Sequence, residues 1–399
     1  MTEPQTVSTP TSPPLALSRG RSIAQYILIA LFFWMSLYLY VPTLPTYAAS
    51  KTDSLAFLGI ILAQYGLWQA VVRLPLGIAA DWLGRRKPFI LAGILLSGLG
   101  AWVMGSSDSA QGLLVGRAIT GLAAATWVPL TVLFSSLFPA QEAVRATAIL
   151  AVAASIGRVT GTSVTGTLNN LGGYSLAFYL AVGVAGVAMV VLLPARERVR
   201  SPKQPSLRGI GSLITRRDVL LPSWLQAVIQ YATWAVPLSF LPLLADQLGA
   251  TDVAQSMLVS LYIAVVMMGS TVAAVLSKRF GARRLVYAGF AVLTAGIVTA
   301  AMAPALPVLF ISQFLIGLSL GTCYPVLMGL SIRDVADAER ATAMGLHQSV
   351  YAVGMFAGPW LSGILADAVG LRPMLGITAL GCLGLALILL RFLPGRQAE

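Results

Sequence analysis

The sequence is poor in the residues that enzymes use for chemistry: it has one histidine, two cysteines and only 14 acids among 399 residues. No group of His, Cys and carboxylate has metal-ligand spacing, so neither a metal nor another cofactor is expected. A Gly-Lys-Ser/Thr phosphate loop and a nucleophile elbow are both missing, which argues against ATP hydrolysis, against acyl transfer and against an enzyme in general. Cys323 and Cys382 lie inside apolar runs, so no disulfide framework is indicated. Charge is scarce as well. Charged residues are 10% of the chain, hydrophobic residues are 57%, and the mean hydropathy is +0.83. No soluble domain of this length would stay in solution with that composition, so the chain reads as an integral membrane protein. A net charge of +12 would point to nucleic acid in a soluble protein. Here the cations gather in alternate short loops, which membrane orientation explains, and no nucleic-acid partner is expected.

What is present is a series of long apolar runs. Residues 1–22 are rich in Pro, Ser and Thr at their start and read as a disordered tail. Twelve runs follow, at about Ile23–Pro45, Leu55–Ala80, Pro88–Gly105, Gly112–Leu137, Val144–Leu168, Tyr174–Pro194, Val219–Ala245, Val253–Leu276, Leu285–Ala303, Leu306–Leu330, Ala341–Ala366 and Leu371–Leu393. Each can cross a bilayer core of about 30 Å at about 1.5 Å per residue. Lys51 and Arg372 fall on one side of this arrangement and Arg73, Arg117 and Arg158 fall inside runs, while every other Lys and Arg falls on the side of the two termini. That asymmetry places both termini in the cytoplasm, with the chain spanning the cell membrane.

The segment 195–217 interrupts the runs with Pro202, Pro205 and seven cations, and reads as a cytoplasmic linker between six-helix halves at 23–194 and 218–394, with a short tail at 395–399. The halves look alike. A shift of about 196 to 197 positions sets Arg117, Gly121 and Pro129 against Gln313, Gly317 and Pro325, and Gly157, Gly161 and Gly166 against Gly354, Gly358 and Gly363. A duplicated six-helix unit is the economical account.

The stretch between the second and third runs reads Gly77-Ile-Ala-Ala-Asp81-Trp-Leu-Gly84-Arg85-Arg86-Lys87. Gly77, Ala79 and Ala80 would let a neighbouring helix come close, Gly84 permits a positive φ in the turn, and Asp81 needs a cation or a helix N-terminus as partner. The stretch resembles the loop between the second and third helices of the major facilitator superfamily, G-x-x-x-D-R/K-x-G-R-R/K, with Trp82 in place of the usual cation. In the eleventh run Gly345, Gly354, Gly358, Pro359 and Gly363 resemble the superfamily pattern G-x8-G-x3-G-P-x2-G-G, with Ser362 replacing one Gly. Antiporters carry that pattern in the fifth helix, where this chain has Thr162 and Thr165 at the Pro and Gly positions. Stacked small residues still allow tight packing, of the fifth helix on the eighth and of the eleventh on the second. The resemblance implies an all-α fold of 12 transmembrane helices in two pseudo-symmetric halves. It also implies gating by Gly77, Asp81, Gly84, Arg85, Arg86, Gly354, Gly358 and Pro359, with Asp81 latching onto the start of the eleventh helix near Ala341 in the outward-facing state.

Arg117-Ala-Ile-Thr-Gly121 resembles the superfamily's fourth-helix pattern, which is associated with proton coupling. Arg117 lies about 14 Å into the membrane from Asp108, and a purely structural role, bonded to helix backbone, is equally open. Arg73 and Arg158 lie about 12 Å and 20 Å deep, counted from Asp81 and Arg145. None of the 14 acids falls in mid-helix, so these three arginines have no carboxylate near the bilayer centre. Either Arg73 or Arg158 binds an anionic substrate, or they satisfy carbonyls and hydroxyls such as Thr160 and Thr162. Arg73, two residues before Pro75, suits a freed carbonyl, and Arg158 suits an anion. His347, beside Gln348 and one turn before Tyr351, is the interior side chain whose ordinary pKa lies near physiological pH, and is either a proton carrier or a neutral, hydrogen-bonded residue. Gln226, Gln230 and Trp234 share a helix face by their four-residue spacing. Trp34, Tyr38, Tyr40, Gln64, Trp68, Trp127, Gln313, Tyr324 and Tyr351 add polar or aromatic groups that would suit a medium-sized organic solute.

These features lead to a secondary transporter of a small organic solute, working by alternating access as a monomer. The motif set looks most like proton-coupled exporters of drug-like or amphipathic compounds. An importer or exchanger of organic anions and a lipid flippase are the alternatives.

Overall fold

In hydrocarbon every backbone polar group must be satisfied within its own segment, and the apolar runs accordingly become helices. The structure, a computed structural model, describes residues 15–139, 142–195, 197, 213–336 and 339–393, and all regular structure among the described residues is helical. The tail at 395–399 and most of the segment 195–217 lie outside them. The first half contains α1 (Leu15–Tyr38), the short α2 (Leu44–Ala49), α3 (Leu55–Leu83), α4 (Lys87–Ser106), α5 (Ala110–Ala125), α6 (Trp127–Ser135) and α7 (Ala143–Leu192). The second contains α8 (Arg217–Ala235), which passes through a π turn at Val236–Phe240 into α9 (Leu241–Gln247), then α10 (Asp252–Phe280), α11 (Ala282–Ala301), α12 (Leu306–Ile332), α13 (Arg340–Val369) and α14 (Leu371–Arg391). Part of the expected tail is helical, since α1 starts at Leu15.

Eleven helical stretches among the described residues are long and apolar enough to cross a membrane, not twelve, because α7 holds two of the expected runs. A straight helix of its 50 residues would be about 75 Å long, far beyond a bilayer core. The chain turns instead at Gly172 and Gly173, whose φ/ψ are not helical, and Gly173 takes φ 70°, which glycine adopts without strain.

Glycines decide how the helices pack. A Cβ on Gly157 would collide with the carbonyl of Leu31, and one on Gly161 would lie 2.9 Å from that of Met35, so the first part of α7 lies directly on α1. The second half repeats this: Gly354 and Gly358 meet the carbonyls of Ala227 and Tyr231 on α8. These two glycines therefore join helices within one half and are not at the contact across the halves expected of them. Crossing contacts are made by Gly166 against Asp252 at the start of α10, by Gly363 against Leu55 and Gly59 at the start of α3, and by Gly59 and Gly66 of α3 against the backbone of Pro359 and Met355. The expected pairing of α7 with α10 and of α13 with α3 is present through these positions. Residues 55 and 252 are themselves duplicate positions, so the two seams are copies of one another.

Polar bonds reinforce the seams on the face away from the basic loops, called here the far face. Asn169 Nδ2 donates to Asp252 at 2.8 Å, the Gly166 amide to Ser256 Oγ at 2.7 Å, and Thr46 Oγ1 to Gln255 Oε1 at 3.1 Å. Asp367 accepts from Ser54 Oγ at 3.2 Å and from the Leu55 amide at 3.0 Å, where a carboxylate also offsets the positive end of α3. The far face is closed in this structure.

Candidate functional site

On the basic face, Gly84 ends α3 with φ 65°, as its place in the turn demands. Asp81 pairs with Arg86 of its own turn, Arg85 is exposed, and Glu197 accepts from the Arg86 and Lys87 amides at the start of α4. Lys87 Nζ donates to the carbonyls of Leu193 and Ala195 at 2.7 and 2.8 Å, so this turn is anchored to the end of α7. Gly77 has no atom within 4 Å of where a Cβ would stand, so no neighbouring helix makes use of it in this state. The carbonyl of Pro359 faces Gly59 on α3, far from the Asp81 turn.

The three intramembrane arginines occupy different surroundings, and none pairs with a carboxylate among the described residues. Arg73, on α3, is buried; Nη1 donates to the Tyr351 hydroxyl at 2.8 Å and Nη2 to Gln69 Oε1. It therefore ties α3 to α13, and does not take the carbonyl expected to be freed by Pro75. Gln69 lies one turn back on the same helix face, within reach of four-residue spacing, whereas Tyr351 lies in the other half, where counting along the sequence could not find it. Arg117, on α5, lies over the ring of Tyr65 with Cζ 4.5 Å from the centroid. Tyr65 in turn stacks on Trp234 of α8, centroids 5.0 Å apart at 24°, so Arg117, Tyr65 and Trp234 form a layered stack that passes from one half into the other.

Arg158, in the first part of α7, is partly exposed. Its Nη2 donates to Ser155 Oγ at 3.0 Å, and Cζ lies 4.9 Å from the ring of Trp34 and 5.9 Å from that of Tyr38. Trp34 also meets Trp127 of α6 edge-on at 5.4 Å. Thr160 and Thr162 do not satisfy this guanidinium: Thr162 Oγ1 bonds the Arg158 carbonyl and Ser260 Oγ, and Thr160 is exposed. Tyr65 of α3, Tyr262 of α10 and Tyr324 of α12 all lie within electrostatic reach of Arg158. The guanidinium's direct contacts, Ser155, Trp34 and Tyr38, all belong to the first half, and tyrosines of both halves lie within its electrostatic reach. Stacking on aromatic faces stabilises a cation by about 0.5–2 kcal/mol without neutralising it.

His347 is fully buried on α13, with Nδ1 3.0 Å from Ser223 Oγ on α8; its Nε2 meets no partner among the described residues. Its ring stands edge-on to Tyr351 at 5.9 Å, and Tyr351 meets Tyr324 at 6.1 Å. The structure therefore gathers His347, Tyr351, Tyr324 and Arg73 into one cluster. Gln230 Oε1 accepts from Thr233 at 3.2 Å, Gln313 Nε2 donates to the Pro237 carbonyl at 3.4 Å, and Gln226 is fully buried without a partner among the described residues. Tyr65, Gln69 and Tyr262 were not singled out from the sequence. The duplication does relate Tyr65 to Tyr262, and it is a signal that could have found those two: a Cβ at Gly121 would stand 2.9 Å from the Tyr65 carbonyl and one at Gly317 2.8 Å from that of Tyr262.

The family model described as Major Facilitator Superfamily matches residues 26–232 and 223–399. The chain belongs to the major facilitator superfamily. Several sequence relatives within it match over part of their length. The inner membrane transport protein YajR of Escherichia coli is 31% identical over 39% of this chain, and the match spans about a third of that protein (35%). The tetracycline resistance protein, class H, of Pasteurella multocida is 26% identical over 45% of each chain, and the multidrug resistance protein Stp of Mycobacterium tuberculosis is 33% identical over 33% of this chain and 25% of that protein. Among solved structures, the superfamily fold appears in a bacterial homologue of the human lysosomal transporter Spinster, inward-facing and occupied, with TM-score 0.80 at 16% identity, covering 96% of this chain and 97% of that one. The nucleoside transporter NupG matches with TM-score 0.78 at 14% identity, covering 93% and 99% of the two chains. Identities this low establish the fold alone. With fold and family together, the protein is a multi-pass membrane transporter of a small solute.

Proposed function

We propose that this transporter moves a small organic solute carrying an anionic group, held by Arg158 between two halves that rock about the centre. The observation that supports this most is Arg158 itself, a partly exposed guanidinium on the faces of Trp34 and Tyr38, with Ser155 as its hydrogen-bond partner and no carboxylate. A cation placed in that way is costly to maintain unless an anion joins it for part of the cycle. A carboxylate or phosphate received by the guanidinium would make charge-assisted, two-point bonds, with the surrounding aromatic rings packing on an apolar body. In this reading the far face is tied shut and the solute exchanges with the basic face. On the same reading the excess of cations there marks that face as cytoplasmic, with both termini in the cytoplasm and the chain in the cell membrane.

A second reading, proton-coupled efflux of drug-like or amphipathic compounds, is favoured by the partial similarity to two drug-resistance proteins. In that reading His347 and Arg117 are the coupling groups, and Arg158 is held by its rings without taking substrate. Counterflow of radiolabelled benzoate and phenyl phosphate in proteoliposomes separates the two, because exchange is measured whichever way the protein works in the cell. The anion reading expects saturable exchange that Arg158→Ala abolishes and Arg158→Lys weakens. Exchange unchanged in both variants would remove Arg158 as the anion site.

A further inference from the structure

Where α10 and α12 cross, their backbones touch: a Cβ at Gly269 would stand 3.1 Å from the Gly321 Cα. Beyond that crossing, toward the basic face, a cleft of about 300 Å³ lies between them. It is lined by Ser270, Ala273 and Ser277 of α10, by Gly329 and Arg333 at the end of α12, and by Ala282 at the start of α11. The repeated unit explains why there is space here. With Pro325 set against Pro129, the lining positions Ser270, Gly329 and Leu330 stand where the first half has Leu74, Leu133 and Phe134, so each carries a smaller side chain. The two serines make no demand on a ligand, because Ser270 Oγ donates to the carbonyls of Val266 and Gly321 at 2.9 and 3.2 Å, and Ser277 Oγ to that of Ala274 at 3.0 Å. The lining is therefore apolar in effect, with Arg333 as its charged end. Next to it α10 exposes Met268, Val272 and Val275, and an exposed apolar surface of this kind on a membrane-spanning helix faces lipid.

Charge around the cleft has one sign. Between Asp252 and Asp334 the sequence has five cations, Lys278, Arg279, Arg283, Arg284 and Arg333, and no acid. Ser277 and Ala282, both in the lining, bracket the turn that carries the first two. In the first half the matching turn is neutralised from within, by Asp81 on Arg86 and by Glu197 at the start of α4. Here Ser277 stands in place of Asp81. Lys278 and Arg284 are exposed and make no ion pair or hydrogen bond among the described residues. Arg333 donates from Nε and Nη2 to the exposed Asp334, which leaves Nη1, while Arg283 is turned to the Leu390 carbonyl of α14. We propose that the cleft binds an anionic phospholipid of the leaflet on the basic face, with one acyl chain between α10 and α12 and its phosphate joining Arg333 and Lys278. A lipid fits where a soluble anion does not, because the space is apolar, Gly329 leaves it exposed beside the lipid-facing side of α10, and the cations stand where both helices leave the membrane. The site is independent of what Arg158 holds.

The purified protein is titrated with dioleoylphosphatidylglycerol and, separately, with dioleoylphosphatidylcholine, and binding of the first lipid is followed by native mass spectrometry. One lysine or arginine beside an anionic lipid favours it about fivefold, so Lys278 and Arg333 together predict a preference for the anionic lipid of about 25-fold. Lys278→Gln/Arg333→Gln should bring the two lipids within about threefold of each other. Arg145→Gln/Arg217→Gln, which removes two exposed cations of the basic face outside the cleft, should keep the preference. Gly329→Leu restores the residue of the first half at a position where a Cβ meets nothing within 4 Å, so the fold tolerates it. It should weaken both lipids by about fourfold for each methylene kept out of the cleft. sn-Glycerol 3-phosphate, which has the phosphate without a chain, should displace neither lipid. Equal binding of the two lipids to the wild-type protein, a preference that survives Lys278→Gln/Arg333→Gln or falls as far in the control pair, or unchanged binding in Gly329→Leu overturns the inference. Displacement by glycerol phosphate would make this a site for a free phosphate ester and overturns the lipid assignment.

Discussion

Adding one methyl group to each far-face seam should open the side of the protein that this structure closes. A Cβ at Gly363 would stand 2.7 Å from the Leu55 carbonyl oxygen and 2.9 Å from the Gly59 Cα, and one at Gly166 would collide with the Asp252 carbonyl. The obstacles are backbone atoms, so no rotamer change relieves them and the helices must separate. Overpacking of this kind costs about 1–3 kcal/mol at each site. The seams lie on opposite sides of the pseudo-symmetry, share no residue, and should add, giving about 2–6 kcal/mol against the closed far face in Gly166→Ala/Gly363→Ala. A penalty of 1–3 kcal/mol alone changes a two-state ratio by roughly 5- to 150-fold. Spin labels replacing Asp108 and Ala305, both exposed on far-face loops of different halves, would report it as a longer distance in electron-electron resonance measurements. Cys323 and Cys382 are buried and unpaired, so they can be replaced by Ala to make the labels unique. Gly183→Ala and Gly376→Ala, which meet nothing within 4 Å, serve as controls and should leave the distance unchanged. An unchanged distance in a folded double variant would refute the claim that these seams hold the far face shut.

Three further outcomes follow from particular contacts. Arg73→Gln, which loses the bond to Tyr351 across the halves, should lower stability by about 1.5–3 kcal/mol, read as a fall in thermal midpoint in detergent, and an unchanged midpoint would show that this bond carries no weight. Gly84→Ala should cost about 1 kcal/mol because of the positive φ, whereas Gly77→Ala should be neutral or stabilising; the same thermal measurement, with the order reversed, would contradict the assignment. Glu197→Gln keeps the shape of the group that receives the Arg86 and Lys87 amides but removes its charge from the start of α4, so a loss of about 0.3–1 kcal/mol is expected, shrinking at high salt; a loss that salt does not touch would point to hydrogen bonding alone.

The parts of this molecule that could be read without coordinates are those that depend on depth. Position along the membrane normal can be counted from the nearest loop, so the runs and the turn at Gly84 were legible, and the stacked small residues pointed to α7 on α10 and α13 on α3. Azimuth around each helix is harder. Nothing in the sequence distinguishes a Gly354 that faces α8 in its own half from a Gly363 that faces α3 in the other, because both sit in the same small-residue stripe. The turn at Gly172 and Gly173 lies between runs that were separated correctly, yet the helix continues to the turn on both sides, so chain geometry there is not a loop of the usual kind. Arg73 found Gln69 and Tyr351 in place of a carbonyl near Pro75, since a guanidinium reaches whatever acceptor the neighbouring helix presents. Tyr65 was overlooked because a tyrosine within an apolar run has no pattern of its own; its role appears only when Arg117 and Trp234 are seen on its two sides.

The position of a bound anion tests the central claim most directly. A crystal of the protein grown with 4-bromobenzoate would locate the bromine by its anomalous signal and orient the carboxylate. The account predicts that the carboxylate lies about 3 Å from the guanidinium of Arg158, with the ring between the two halves beside Trp34 and Trp127. Bromine found only on the lipid-facing surface, or beside Arg73 with Arg158 still occupied by Ser155 alone, would contradict it.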